Sequence, residues 1–218
     1  MGRLCVFTRI HTRNRVGRCC RTNYINAMSE SGFALFATAI GHCGIVWSER
    51  GIAGVQLPEG GEGATRRRVQ RRFPAAHAAA PPPDVQRVID DIVALLAGEP
   101  RDLSGVKLDT GAVSDFQHRV YAAARAIPAG STLSYGEIAE RLGGRLLARD
   151  VGEALGQNPF PIIVPCHRVM AAGGKMGGFS APGGVRTKLR LLSIEGAQPG
   201  GTTLFADLPL MAPPRRRA

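Results

Sequence analysis

An α/β unit followed by a helical unit is the fold class predicted by this 218-residue sequence. Three observations carry it. Between Phe33 and Leu57, short apolar runs alternate with tight glycine turns. Between Ser114 and Gly156, three short helical patterns follow one another, two of them opened by serine. A Pro-rich stretch then leads through Cys166-His167 into a Gly-rich loop.

The first unit spans 28–111. Phe33–Ile40, Gly44–Ser48 and Ile52–Leu57 are broken by Gly41-His42 and by Glu49-Arg50-Gly51, which predicts an antiparallel meander. Gly60–Pro83 is rich in Gly, Arg, Ala and Pro, and Arg66, Arg67, Arg68, Arg71 and Arg72 fit a polar helix face. Pro81-Pro82-Pro83 breaks the chain. Asp84 is the expected N-cap of a helix over Val85–Ala97, with Val88, Ile92, Leu95 and Leu96 on one face and Gly98 as its stop. Leu103–Leu108 reads as one more strand.

The second unit spans 112–197. Ser114 caps a helix over Phe116–Ala126, whose Phe116, Val120, Ala123, Ala124 and Ile127 recur at helical spacing. Ser134 caps Tyr135–Leu142, and Glu137 three residues later completes a capping box. Gly143-Gly144 turns the chain into a third helix over about Leu147–Gly156. Two short helices joined by a glycine turn form the helix-turn-helix pattern, whose second helix commonly enters a DNA groove, although many helical hairpins bind nothing.

The formal charge of +11 suggests an anionic partner until it is partitioned. Residues 1–27 hold six Arg and no acid, for +6; residues 28–111 hold nine bases and ten acids, for −1. Residues 112–200 carry +4, and 201–218 carry +2 through Arg215, Arg216 and Arg217 against Asp207. Most of the excess lies in the two ends, and only the second unit is both folded-looking and basic. Residues 1–27 faintly resemble a transit peptide. The plainer expectation is a disordered extension, or a start placed too early with Met28 the first residue; 198–218 is expected to be a flexible tail.

No apolar run approaches the roughly 20 residues that span a bilayer, so no membrane role is expected. Five cysteines are too few and too odd for a disulfide scaffold, and with no apolar signal segment an intracellular location is expected: the cytoplasm, at the nucleoid if the source is bacterial. Cys5, His11, Cys19 and Cys20 lack the C-x2-C spacing of zinc sites, and adjacent Cys19-Cys20 rarely ligate one tetrahedral ion, so no metal is expected. Cys43 reads as packing rather than redox chemistry, and Asp90 and Asp91 as a solvated face. The Arg66–Arg72 run reads as surface, with non-specific DNA contact as the alternative.

Chemistry concentrates in Asn158–Met170, NPFPIIVPCHRVM. Prolines on both sides of Ile162-Ile163-Val164 fix φ and remove donors, which predicts a rigid, buried, extended segment delivering Cys166 to one place. Thiolate is the reactive form of cysteine, and a nearby imidazole favours it. A Cys-His pair alone is weak; its setting, between a helix-turn-helix pattern and a Gly-rich loop, makes it informative.

Asn158-Pro159-x-Pro161 followed by Ile163-Val164-Pro165-Cys166-His167-Arg168-Val169 resembles the active-site signature of the O6-alkylguanine-DNA alkyltransferases, also called methylated-DNA–protein-cysteine methyltransferases. The resemblance runs through Phe116–Gly196, including Ser134-Tyr135-Gly136-Glu137-Ile138-Ala139, Arg149 with Val151-Gly152, and Gly178-Phe179-Ser180; Phe33–Leu57 also looks like the start of the family's N-terminal domain. Both ends lie outside it.

The resemblance implies a ribonuclease-H-like α/β domain followed by a helical DNA-binding domain with a winged helix-turn-helix. It implies a direct-reversal DNA repair protein acting on double-stranded DNA that contains O6-alkylguanine, as a monomer, with no cofactor. Cys166 would accept the alkyl group, His167 would deprotonate it through a water, Glu195 would orient His167, and Asn158 would brace the turn. Arg149 would replace the flipped base, and Tyr135 would help rotate the nucleotide out. Tyr135, Ser180 and Phe179 would line the base pocket, where the carbonyls of Cys166 and Val169 would accept from the exocyclic amine. Sulfur attack gives a thioether that offers water no carbonyl, so the protein should react once and stop. O4-methylthymine stays open as a second substrate.

Two departures stand out. Asp150 puts an acid beside Arg149, and Phe179 stands where many relatives carry Tyr. Two other readings compete: a DNA-binding module without chemistry that flags lesions or regulates, which the presence of Cys166 disfavours, and a cysteine hydrolase, for which no oxyanion hole is evident.

Overall fold

The computed structural model describes residues 31–197; the readings made for 1–27 and for the 198–218 tail, including Cys5, His11, Cys19 and Cys20, lie outside them. The predicted meander is present as β1 (Gly32–Thr38), β2 (Gly41–Ser48) and β3 (Gly51–Gln56), antiparallel through tight turns. A two-residue strand that the sequence did not announce, β4 (His77–Ala78), pairs parallel with β1, giving the order β3-β2-β1-β4.

Both faces of this sheet are covered. Along β2 the side chains alternate: Cys43, Ile45 and Trp47 enter the main core, whereas Val46 faces Phe33 and Val69 on the other side. Helix α1 (Glu62–Arg72) covers that second face with Val69 and leaves most of its arginines outside. Gly44 is required beneath it, since a β-carbon there would stand 2.7 Å from Val69 Cγ2. Helix α2 (Pro83–Leu96) packs on β1 through Val85, Ile89, Ile92, Leu95 and Leu96. Cys43 is fully buried, as a packing residue would be, and Asp90 is exposed and accepts from Gln86.

Two expectations in this half fail. Asp84 is not the N-cap of α2: the helix starts at Pro83, because a proline's missing N–H suits the first helical position, and Asp84 falls in the first turn. Leu103–Leu108 is not a strand. Arg125 Nη2 donates to the carbonyls of Leu103, Ser104 and Val106, which draws the segment into a curl around one guanidinium. Only a single parallel bridge, Ile52 to Leu108, remains beside β3.

The second half is helical as expected. Helix α3 (Asp115–Arg125) opens on a Ser114/Gln117 capping box. After β5 (Leu133–Ser134), α4 (Tyr135–Arg141) opens on the Ser134/Glu137 box, with bonds of 3.1 and 2.6 Å. Gly143 and Gly144, both at positive φ, turn the chain into a 3-10 turn (Arg145–Leu147) that runs on into α5 (Ala148–Gly156). Helix α5 packs on α3 and α4 through Val151, Ala154 and Leu155. Strand β6 (Val169–Met170) pairs parallel with β5, and α6 (Val185–Ile194) closes the chain against α2.

One core joins the halves. Ile45, Val55 and Leu96 share a cluster with Val120, Ile138, Val151 and Phe160. No helix among the described residues is long and apolar enough to cross a membrane.

Candidate active site

The segment leading to Cys166 is buried but not extended, which corrects the sequence expectation. Ile162 sits at φ 77°, a left-handed conformation for a β-branched residue, and the Val164 N–H donates back to Phe160 O at 2.8 Å. Pro161–Val164 is therefore a tight turn. The left-handed residue costs about 1–3 kcal/mol and persists because the surroundings over-determine it. Ile162, Ile163 and Val164 are all buried. Asn158 ties the turn shut from inside: its Nδ2 donates to Val164 O at 2.9 Å and its Oδ1 accepts from Phe160 N at 2.9 Å. From outside, the Val55 N–H of β3 donates to Pro159 O at 2.9 Å. Cys166 then opens a 3-10 turn (Cys166–Arg168) that delivers the chain into β6.

Within that turn His167 and Arg168 both reach Glu195, the C-cap of α6. His167 Nε2 lies 3.0 Å from Glu195 Oε1. Arg168 donates from Nε to Oε2 and from Nη2 to Oε1, each at 2.8 Å, while its Nη1 donates to Ile127 O. Burial alone would raise the Glu195 carboxyl; hydrogen bonds from His167 and Arg168 and their charges outweigh it and lower the carboxyl to about 2. An ionised carboxylate only accepts, so Nε2 of His167 must carry the proton. In the neutral imidazole Nδ1 is then the nitrogen free to take a proton. It is buried and has no hydrogen-bond partner among the described residues.

Cys166 is a thiol at rest. Burial pushes it up, against the Asn158 side chain, the Lys188 charge and the N–H groups of Cys166 and His167. Lys188, on α6, is fully buried, with Nζ donating to Val169 O at 2.5 Å and Met176 O at 2.8 Å. Desolvation lowers it to about 8, opposed by Cys166. Burial raises the Tyr135 hydroxyl, and the charge of Cys166 adds to the effect. Tyr135 is brought here by the pairing of Ser134 with Met170, and its ring is flanked by Gly152 and Gly177, where a β-carbon would stand 3.8 and 3.3 Å away.

Cys166, His167, Glu195 and Asn158 thus gather at one turn, His167 bonded to Glu195 and Asn158 to the chain just before Cys166, with Tyr135 and Val169 beside it. Val169 O already accepts from Lys188 and Cys166 O from Val169 N, leaving each a second lone pair. Arg149 and Asp150 are apart from it, exposed on α5, and Arg149 makes no ion pair among the described residues. Phe179 is half-buried against the core, and Ser180 is exposed, its hydroxyl donating to Gly156 O at 3.0 Å. Sequence reasoning missed Lys188 and the part played by Arg168. Lys188 had a signal: it occupies an apolar position at i, i+3 from Val185 and Leu191. Arg168 had none beyond its place in the motif, since its partners are distant in sequence.

Residues 115–197 match the family model described as 6-O-methylguanine DNA methyltransferase, DNA binding domain. The chain is 37% identical over 153 residues to the methylated-DNA–protein-cysteine methyltransferase of Methanothermobacter thermautotrophicus, covering 70% of this chain and 78% of that one. It is 47% identical over 118 residues to that of Mycobacterium bovis, covering 54% and 69%. Among solved structures, Mycobacterium tuberculosis OGT in complex with DNA is similar with a TM-score of 0.62 and 34% identity, over 76% of this chain and 92% of that one. With a mixed α/β fold shared across both halves, the chain belongs to the methylated-DNA–protein-cysteine methyltransferase family.

Proposed function

We propose that this chain repairs alkylated DNA by moving the alkyl group from O6 of guanine to Cys166 Sγ, once per molecule. The observation that carries the reading is His167: Nε2 held on an ionised Glu195, Nδ1 buried, free to take a proton and unpartnered, one residue from a thiol that burial keeps protonated. Such a cysteine needs a base at the moment of attack.

In the step, Cys166 Sγ forms a bond to the alkyl carbon as the carbon–O6 bond breaks, and that electron pair stays on guanine. The thiol proton leaves toward His167 through a water, and the same proton equivalent passes on to guanine, which leaves neutral with His167 restored. Glu195 and Arg168 keep the imidazole oriented throughout. The thioether is inert to water, so no second turnover follows.

The lesion is out of reach in stacked duplex, and extruding it costs a few kcal/mol. Arg149, exposed on α5, fills the space the base leaves; Tyr135 turns the nucleotide out and, with the backbone of Ser180 and the half-buried Phe179, bounds the pocket. The second lone pairs of Cys166 O and Val169 O accept from the exocyclic amine. Within the described residues, 31–111 form a ribonuclease-H-like domain and 112–197 a winged helix-turn-helix domain, acting as a monomer on double-stranded DNA. A lesion-binding module without chemistry has less support, because a thiol, the imidazole next to it in sequence and a carboxylate bonded to that imidazole are all present.

Incubation with duplex DNA bearing one O6-methylguanine tests this. The expected product is a single methyl on the Cys166 peptide, in one-to-one yield. Loss of methyl from DNA with that peptide unmodified would overturn the assignment, as would repair by Cys166→Ala.

A further inference from the structure

Among the described residues only two large apolar side chains are left exposed, and they are unlike: Val185 is 40% exposed and Leu146 is 97% exposed. Leu146 lies in the 3-10 turn that runs on into α5. Residues three apart lie on one side of a 3-10 turn and of the α-helix that continues it, so Leu146 falls on the same side as Arg149 in α5. Its neighbours Leu147 and Ala148 point the other way and pack on the core. Arg145, whose side chain is 82% exposed, makes only a loose 3.6 Å pair with Glu140. The edge therefore presents one bare apolar side chain in line with the exposed Arg149, with the exposed Arg145 preceding it in the chain.

That composition fits one kind of surface. A protein-docking patch needs contiguous apolar area, and Leu146 has none beside it. A minor groove offers phosphates to flanking cations and, at an opened step, the apolar faces of sugars and bases to a wedge; leucine is among the side chains that serve as wedges.

We infer that Leu146 is a second wedge: it packs into the opened base step beside the place Arg149 fills and holds the duplex open while the lesion is out. Leu146 touches DNA and no reacting atom, so it is a positioning residue. The inference rests on the base-replacing role of Arg149 proposed above.

The test compares full-length protein with Leu146→Ala, Leu146→Met and Arg149→Ala, in single-turnover reaction with duplex O6-methylguanine and with free O6-benzylguanine. Leu146→Ala should slow the duplex reaction about tenfold, with the loss confined to duplex. Its salt dependence of duplex binding should match the native slope, because no charge has been removed. Leu146→Met, an apolar side chain of similar volume, should stay within about twofold of native. A native duplex rate for Leu146→Ala, or an equal loss with the free base, overturns the inference. If Leu146→Ala alone fails to separate the two substrates, the wedge falls and the role of Arg149 stands. If Arg149→Ala also fails to separate them, the base-insertion reading falls with it. The exposure of Leu146 makes misfolding a checkable alternative, and thermal midpoints equal to native remove it.

Discussion

Glu195 and Arg168 are joined by two parallel hydrogen bonds of 2.8 Å, with side chains only 3% and 9% exposed, and the same carboxylate carries His167 at 3.0 Å. A buried carboxylate with one imidazole partner would be poorly compensated. Arg168 supplies the second, bidentate partner and anchors the group to Ile127 O on the far side. The pair fixes which nitrogen of His167 is free to take a proton.

Glu195 should give an acid-stability signature. Its carboxyl lies at about 2 against an ordinary 4.5, so its contribution is complete above about pH 4.5 and fades as pH falls toward 2. That shift corresponds to about 3 kcal/mol. Glu195→Gln should be less stable by about 3–5 kcal/mol at neutral pH, because Arg168 is left buried without its anion. Urea denaturation from pH 2 to 7 checks both: the gap between native and variant should narrow below pH 4.5.

His167→Gln should lower the alkyl-transfer rate by about 10²–10⁴ at neutral pH. Without the base, reaction depends on the few Cys166 thiols already ionised, and burial keeps these scarce. The variant's rate should then climb about tenfold per pH unit, while the native rate rises less steeply. Parallel slopes for the two proteins between pH 7 and 9 would remove His167 from the chemistry.

Lys188→Met removes the cation that opposes the upward shift of Cys166. The pH midpoint for iodoacetamide labelling of the Cys166 peptide should move up. Cys43, fully buried and pushed up to about 12, should stay unlabelled in both folded proteins and serves as the control for local unfolding.

Asn158→Ala removes both bonds that close the turn around Ile162. A stability loss of about 2 kcal/mol is expected, from the orphaned Val164 carbonyl and the slackened left-handed residue. Alkyl transfer should fall as well, and Asn158→Asp should recover part of the stability through the Phe160 N–H alone. Equal losses for Ala and Asp would show that the Phe160 bond does not brace the turn.

What was legible in the sequence was local. Ser114 as a cap, and Ser134 with Glu137 as a capping box, could be read because every partner lies within four residues; Gln117 completes the first box in the structure. Cys166, His167 and Asn158 stand in one motif and Glu195 entered through the family resemblance; the fold brings the four to one turn. Expectations failed where a distant group or an unusual backbone decided the outcome. Nothing near Leu103 announces that Arg125 will claim its carbonyl, and the spacing of Lys188 between Val185 and Leu191 hints at burial without naming Val169 and Met176 as its partners. Two prolines around Ile162-Ile163-Val164 suggested extension, whereas Asn158 and a left-handed Ile162 fold that stretch back on itself.

The bond from Val55 N to Pro159 O contains no side-chain atom. No substitution at position 55 short of proline deletes the donor, so the contact is indifferent to which letter is written there. What the first half of the chain lends to Cys166 is an edge of backbone arriving at the right spot. Variation at the exposed positions of residues 31–56 is then compatible with an unchanged reactive turn, provided β3 keeps its path and the buried positions keep their packing. A graft that replaced the whole first half by another domain would need to reproduce that one edge before any of its side chains mattered.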